Sequence, residues 1–454
     1  MQRIALALYS LLAWLAQPLL RRKLARRARA EPGYALALHE RFGRYPDVPP
    51  ARASGPRVWL HAVSLGETRA AAILLGPLRQ ALPGMQLLLT HGTATGRAEG
   101  VRLLRAGDLQ AWLPWDTPGA VQGFLRHFHP DVGVLMETEV WPNLVAGCRR
   151  LGVPLALANA RLNEKSLRGA QRLAWLARPA YAGLAAVWAQ GQQDARRLAS
   201  LGAPVAGVYG NLKFDAEPDA ALLARGRAWR AGSARPVVLL ASTREGEEAL
   251  WLENIKPNRP PALAGKALAA INSLDVQWLL VPRHPQRFDE VAALCTAAGL
   301  TVSRRSAWDT APVAADVWLG DSMGEMALYY GLADVALLGG SFAPLGGQNL
   351  IEAIACGCPL VLGPHTFNFA EAAEGAVQAG AALRVANMGA ALAQARTLLQ
   401  EPGAREQVLE QGSAFIAHHR GAARRTAQAL AQLCGGGAAD GAQILAPYRD
   451  TPAD

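Results

Sequence analysis

RVWLHAVSLGETRAAAILLGPLRQALPGMQLLLTH (57–91) holds two short apolar runs, VWLHAV (58–63) and MQLLLTH (85–91), on either side of a stretch of helical length. In both runs the hydrophobic residues fall on successive positions, as in a strand covered on both faces. Strand, helix, strand in this style is the repeating unit of a parallel sheet. The alternation continues outward through LQAWLPW (109–115), DVGVLME (131–137), VPLALANA (153–160), AAVWAQ (185–190) and VAGVYG (205–210). After a polar, charged stretch at 211–235 it restarts. VVLLAS (237–242), VQWLLVPRH (276–284), LTVSRR (300–305), DVWLGDS (316–322), VALLGGS (335–341) and PLVLGP (359–364) are the second set of strands. The pattern predicts an α/β protein of two doubly wound, Rossmann-like domains facing a cleft. Ligands are then expected just beyond the carboxyl ends of the strands. Four segments follow: an N-terminal membrane anchor with its basic flank (1–30), a first domain (31–215), a second domain (216–434) and a Gly/Ala-rich flexible tail (435–454). NIKPNRPPALAGK (254–266) is Pro-rich and reads as a surface loop in the first crossover of the second domain.

The chain has 454 residues, with 46 Lys and Arg against 36 Asp and Glu, a net charge of +10. Residues 1–44 contribute +7 of it, from nine basic and two acidic residues. A basic balance spread over a folded face points to nucleic acid, but this charge sits behind an apolar run, Ile4–Leu20, broken only by Ser10, Gln17 and Pro18. At about 1.5 Å per residue the run spans roughly 25 Å, at the short limit for a bilayer. A signal peptide has its charge in front; here only Arg3 precedes the run, while six basic residues lie within Arg21–Arg29. The positive-inside rule leaves everything after residue 21 in the cytoplasm. A spanning and an interfacial anchor both fit. Hydrophobic residues at 51% exclude disorder. Five cysteines without a CxxC pair argue against a disulfide framework or a zinc site.

Several strand ends carry polar clusters. After the first strand comes Ser64-Leu65-Gly66-Glu67-Thr68. Glu67 suits a general base acting on an acceptor hydroxyl; Ser64 and Glu67 also fit a capping box. Thr90–Arg97, a Gly/Thr loop running into a helix, suits an anion on free backbone amides and includes Thr93 and Arg97. Glu137-Thr138-Glu139 ends the fourth strand, where two carboxylates read equally as a site or as a salt-bridged cap. In the second domain Pro282-Arg283-His284-Pro285 follows a strand, and Arg283 has the planar fork that pairs with phosphate. The richest block is Gly339-Gly340-Ser341-Phe342 with Gly346-Gly347-Gln348-Asn349-Leu350-Ile351-Glu352. Its glycines permit close backbone approach, the helix from Asn349 offers a positive end, and Glu352 suits ribose hydroxyls. No GxxxxGK[ST] loop occurs, no GxGxxG follows the first strand and no DxD triad is present, so nucleoside-triphosphatases and dinucleotide oxidoreductases lose their main signatures.

HAVSLGET, LTHGTATGR, LPWDTP, METEVWPN, NARLNEKS, GNLKFD, ASTREGEE, VPRHPQRF and GGSFAPLGGQNLIEA occur in this order between residues 60 and 355. Together they resemble the bacterial transferases of 3-deoxy-D-manno-octulosonic acid (Kdo), which act in lipopolysaccharide biosynthesis. The resemblance implies a GT-B glycosyltransferase fold and transfer of Kdo from CMP-Kdo to a tetraacylated, bisphosphorylated disaccharide, the lipid A precursor, with inversion. It implies neither metal nor other cofactor, and a location on the cytoplasmic face of the inner membrane against anionic lipid, with no nucleic-acid partner. The family's base falls on Glu67. Its donor-binding positions fall on Arg283, His284, Gly340, Ser341, Asn349 and Glu352. Glu139, Thr93 and Arg97 are carried over as acceptor-side or supporting residues. The 254–266 stretch departs from the pattern by its length. A GT-B enzyme using a UDP-sugar, such as an epimerase or a lipid-linked sugar transferase, is the competing reading, followed by a non-catalytic, membrane-anchored nucleotide-binding module.

Overall fold

The computed structural model describes residues 2–46, 54–255 and 275–435. It separates into two compact units, Met1–Asp215 with Arg420–Asp454, and Ala216–His419. Each is a seven-stranded, wholly parallel sheet.

In the first unit the order is β3-β2-β1-β4-β5-β6-β7. These strands are β1 (Arg57–His61), β2 (Gln86–His91), β3 (Leu109–Trp112), β4 (Val132–Met136), β5 (Leu155–Ala160), β6 (Ala186–Ala189) and β7 (Val205–Val208). The connecting helices are α3 (Leu65–Ala81), α4 (Ala94–Gly100), α5 (Pro118–Phe128), α6 (Pro142–Leu151), α7 (Glu164–Arg172), α8 (Ala174–Ala182) and α9 (Gln192–Ser200). Two cores explain the continuous apolar strands. Trp59, Leu88, Leu135 and Leu157 face a core completed by Phe124, Leu144 and Leu198. Their neighbours Val58, Leu60, Leu87 and Val134 face the other, completed by Leu74, Leu78 and Leu430. One residue's step along a strand changes faces, so both parities must be apolar.

Leu430 marks a difference from the sequence reading, which carries the second domain to residue 434. The last described helix, Ala422–Gly435, belongs to the first unit and packs on α3 through Ala422, Ala423, Ala427 and Leu430. Asp215 fixes its start by accepting from the N–H groups of Gly421 and Ala423, the latter at 2.7 Å. Small alanines permit close packing but name no partner, so the sequence alone did not show which unit the helix joins.

The second sheet has the order β10-β11-β9-β8-β12-β13-β14, built from β8 (Val237–Thr243), β9 (Gln277–Pro282), β10 (Val302–Arg304), β11 (Val317–Leu319), β12 (Val335–Leu338), β13 (Leu360–Leu362) and β14 (Leu383–Arg384). β14 has two residues and no apolar run announces it. The Pro-rich 254–266 stretch after Ile255 and the tail after Gly435 lie outside the described residues. The order of strands reverses between β1 and β4 in the first sheet and between β8 and β12 in the second. Those are the places where a doubly wound sheet opens a crevice.

At the N-terminus, α1 (Gln2–Leu15) and α2 (Gln17–Ala30) meet at a 47° bend, with Pro18 in the first turn of α2. Among the described residues no single helix is long and apolar enough to cross a membrane, although the bent pair together meets the length and composition of a span. The polar side of α1 is held by the first unit: the Ser10 hydroxyl donates to Asn143 Oδ1 at 2.8 Å, and Tyr9 hydrogen-bonds to Asp116. Ile4, Leu8, Leu11, Leu12 and Leu15 are exposed.

Candidate functional site

The loop between β1 and α3 puts Ser64 at the N-cap and Glu67 in the first turn. Ser64 Oγ accepts from the Glu67 N–H at 3.3 Å and donates to Glu67 Oε1 at 3.1 Å, while the Val63 N–H donates to Glu67 Oε2 at 2.8 Å. The capping box is therefore formed. It does not saturate the carboxylate. Burial pushes the Glu67 pKa up to about 7; the Val63 N–H works against this, and the charges of Glu137 and Glu139 add to it. A carboxylate that titrates near neutrality suits proton abstraction.

Glu137 ends β4 with φ of 60° and Asn159 ends β5 with φ of 51°. Left-handed backbone at non-glycine residues costs energy and collects at functional sites. Glu139 accepts from Trp141 Nε1 at 2.7 Å, and burial raises its pKa. These carboxylates lie beside the same strand-order reversal as Glu67.

Thr93 and Arg97 turn out to be structurally engaged. Thr93 caps α4, accepting from the Gly96 N–H at 3.2 Å and donating to Val63 O at 3.0 Å. Arg97 pairs with Glu40 at 2.8 Å and lies over the Trp112 ring. The expected anion loop thus acts as a brace for the loop that carries Glu67. Beneath it two histidines are buried and neutral. Burial drives His61 down to about 3 and His91 to about 4. His91 Nδ1 donates to Ala62 O at 3.1 Å and its Nε2 accepts from Gln110 at 3.1 Å, which fixes the tautomer.

In the second unit Arg283 and His284 follow β9, and both side chains are partly exposed. Burial and the neighbouring Arg244 and Arg283 lower the His284 pKa. The glycine block behaves differently from its sequence expectation. Gly340 has φ of 70°, a conformation open to glycine, but its N–H donates to Glu247 Oε2 at 2.6 Å. The amides of Phe342 and Ala343 donate to Glu247 Oε1 at 3.0 and 3.3 Å. The carboxylate of this chain, not a ligand, fills that nest. Ser341 is likewise fully buried; its hydroxyl donates to Leu338 O and accepts from the Gly363 N–H at 2.8 Å, which ties β12 to β13. Asn349 caps the short helix Leu350–Ala355 without a side-chain bond to it, and its Oδ1 is buried without a hydrogen-bond partner. Glu352 sits one turn in, partly exposed. The partly exposed polar side chains among the expected donor positions are thus Arg283, His284, Asn349 and Glu352.

Glu247 and Glu248 lie within ASTREGEE, where the local sequence assigns them no role. Both are fully buried. Glu248 takes a two-pronged bond from Arg287, at 2.8 and 3.0 Å. Asp116 was also missed: it caps α6 through the N–H groups of Asn143 and Leu144, and burial lifts its pKa to about 6. Partners that lie 27 or more residues away leave no local signal. Among the described residues no cluster of three His, Cys, Asp or Glu is placed to hold a metal ion.

Comparison with known proteins agrees with this architecture. Residues 37–216 match the family described as 3-deoxy-D-manno-octulosonic-acid transferase (kdotransferase). A 3-deoxy-D-manno-octulosonic acid transferase of Bordetella pertussis is 52% identical over 419 residues, 90% of this chain and 95% of that one. The enzyme of the same name from Haemophilus influenzae is 32% identical, over 92% and 96% of the two chains. Among solved structures, a glycosyltransferase from Rickettsia africae matches 84% of this chain and 98% of its own, with a TM-score of 0.53 at 12% identity. Anabaena HepE in complex with UDP matches 83% and 100%, with a TM-score of 0.54 at 14% identity. At such identities the structural matches show the fold alone, a pair of parallel-sheet α/β domains of the GT-B kind.

Proposed function

The chain belongs to the Kdo transferase family of glycosyltransferases, and from that premise we propose that it transfers Kdo from CMP-Kdo to an acylated, phosphorylated disaccharide, with Glu67 as the base. The observation that carries this reading is the state of Glu67: a half-buried carboxylate, lifted to about pH 7 and left partly unsatisfied beside two further carboxylates. In a single displacement Glu67 takes the proton of an acceptor hydroxyl, the oxygen bonds to the anomeric carbon of Kdo, and the bond from that carbon to the CMP phosphate breaks. Configuration inverts. The leaving group departs as a phosphate of low pKa, so it needs charge stabilisation rather than protonation. Arg283 and His284 supply positive charge and hydrogen bonds for that phosphate, Asn349 and Glu352 hold the nucleoside, and no step needs a metal.

Ser341, whose hydroxyl bridges two strands, shapes the donor loop rather than touching the donor. Glu139 holds the acceptor side open through its bond to Trp141. The N-terminal pair of helices attaches the enzyme to the cytoplasmic face of an anionic membrane. Because α1 docks its polar side on the first unit and exposes Ile4, Leu8, Leu11, Leu12 and Leu15, it lies in the interface instead of spanning. The basic run of α2 suits lipid headgroups.

The test is incorporation of Kdo from CMP-Kdo into tetraacylated disaccharide bisphosphate by wild type and Glu67→Gln. Loss of turnover in the variant, with CMP still raising the melting temperature, is expected. Retained turnover removes Glu67 from the mechanism. Protection by UDP and not CMP supports the UDP-sugar reading instead.

A further inference from the structure

A groove of about 180 Å³ runs between α1, α6 and α8 of the first unit. Ala5 and Leu6 of α1, Val145 and Ala146 of α6, and Leu176 and Pro179 of α8 give it apolar walls, and Arg3 and Arg149 are its charged lining residues. Neither arginine is ion-paired to a described residue. The groove adjoins two features already described. Its lining includes Pro142, three residues after Glu139 of the carboxylate cluster, and its α1 wall belongs to the helix whose other residues present an apolar face.

From this arrangement we propose that the groove is a subsite for an acyl chain of the glycolipid acceptor, with Arg3 and Arg149 pairing with its phosphate. The proposal rests on the Kdo transferase reading and adds to it a reason for acceptor choice. Apolar walls with two unpaired guanidiniums match a ligand that is both acylated and phosphorylated. A nucleotide or a free sugar lacks the chain. A diffuse bilayer contact needs an outward-facing surface, which α1 already provides, rather than a recess behind it. The occupant also explains why α1 is pinned through Ser10 and Tyr9: a helix that forms one wall of a binding groove must hold its position.

Ala146→Phe fills the recess from a half-exposed helical position, and Arg149→Glu reverses the charge at it. Both are tested in the full chain, with KM determined for tetraacylated and for deacylated disaccharide bisphosphate. Wild type is expected to prefer the acylated acceptor. Ala146→Phe should raise its KM about tenfold, the scale of a displaced pair of methylenes. KM for CMP-Kdo, the thermal shift produced by CMP, and sedimentation with phosphatidylglycerol–phosphatidylethanolamine vesicles should not change. Arg149→Glu should raise KM for the bisphosphorylated acceptor more than for a monophosphorylated one, which provides a second reading if the Phe variant folds poorly. An unchanged KM in both variants overturns the proposal. Loss of vesicle binding by Ala146→Phe, with equal KM for the two acceptors in wild type, also overturns it and gives the groove to a bilayer lipid. Should wild type transfer Kdo to neither acceptor while CMP still protects it, the functional reading falls first, and the groove with it.

Discussion

Glu67 follows the first strand of one sheet and Glu247 the first strand of the other, each at the opening of the next helix and beside the reversal of strand order. Their surroundings separate them. Glu247 is completely buried and accepts from four backbone N–H groups, those of Arg244, Gly340, Phe342 and Ala343. Glu67 accepts from one, that of Val63, with Ser64 as its other partner, and stays partly exposed. Burial raises both pKa values, but only Glu67 keeps part of its surface open to solvent. Topology supplies a carboxylate at each place; the number of amides it satisfies separates one that is spent on holding a loop from one that is left with spare acceptor capacity.

The sharpest way to break this contrast is Glu67→Gln. Glutamine keeps the acceptor for Val63 and the bonds with Ser64, but not the base. Turnover should fall by roughly 10²–10⁴, the worth of a positioned general base. Stability should move the other way. Between about pH 4.5 and 7 folded Glu67 holds a proton that the unfolded chain has released, so wild type loses stability as pH rises through that window. The variant should therefore melt at the same temperature as wild type at pH 4 and no lower at pH 8. In wild type kcat/KM should climb with unit slope to a plateau above about pH 7.

Glu247→Gln reverses the expected signature. Two of the four donating amides would then face an NH₂ group, since each oxygen accepts from two, and a buried, charge-assisted network would be lost, at about 2 kcal/mol of stability or more. CMP affinity should fall with it, because Gly340, Phe342 and Ala343 set the course of the donor loop, whereas the pH dependence of turnover should keep its limb near 7. A shifted limb would mean that the two carboxylates are not separable in role.

A smaller effect distinguishes the two units by acid. His61 and His91 are the buried histidines among the described residues, and both belong to the first unit. Their folded pKa values lie below the ordinary 6.5, so below pH 6.5 the unfolded chain takes up protons first and stability declines, levelling towards pH 4 and 3. The second unit buries no described histidine. Hydrogen exchange at pH 5 against pH 7 should show the strands β1 and β2 opening more readily while β8 and β12 change little; His91→Gln should flatten the difference.

These contrasts also show what local sequence carries. Strands buried on both faces announce themselves, because both parities must be apolar, and β1, β2, β4, β5, β6, β8, β12 and β13 are readable for that reason. Ser64 and Glu67 lie three residues apart, so their cap was readable as well. The Gly339–Gly340 block was readable as a turn but not as a filled nest, since the filling carboxylate lies more than ninety residues upstream. Ser341 is alike in this: nothing near it in sequence shows that its hydroxyl is engaged by Leu338 and Gly363. The home of the Ala422–Gly435 helix depended on Asp215, some two hundred residues away. Periodicity and caps are short-range; satisfaction of buried polar groups is not.

The finest test falls on Ser64, where cap and base meet in one side chain. Ser64→Ala removes the N-cap acceptor and should cost about 1 kcal/mol of stability. It also removes a hydroxyl whose bond favours the ionised form of Glu67. With that bond gone, the acid limb of kcat/KM should move to higher pH while the plateau rate changes little, because the carboxylate, once ionised, is a slightly stronger base. Were Glu67 only a cap, Ser64→Ala would lower stability and leave the limb where it was. A limb that moves without loss of the plateau ties the proton to Glu67 by a change made at its neighbour.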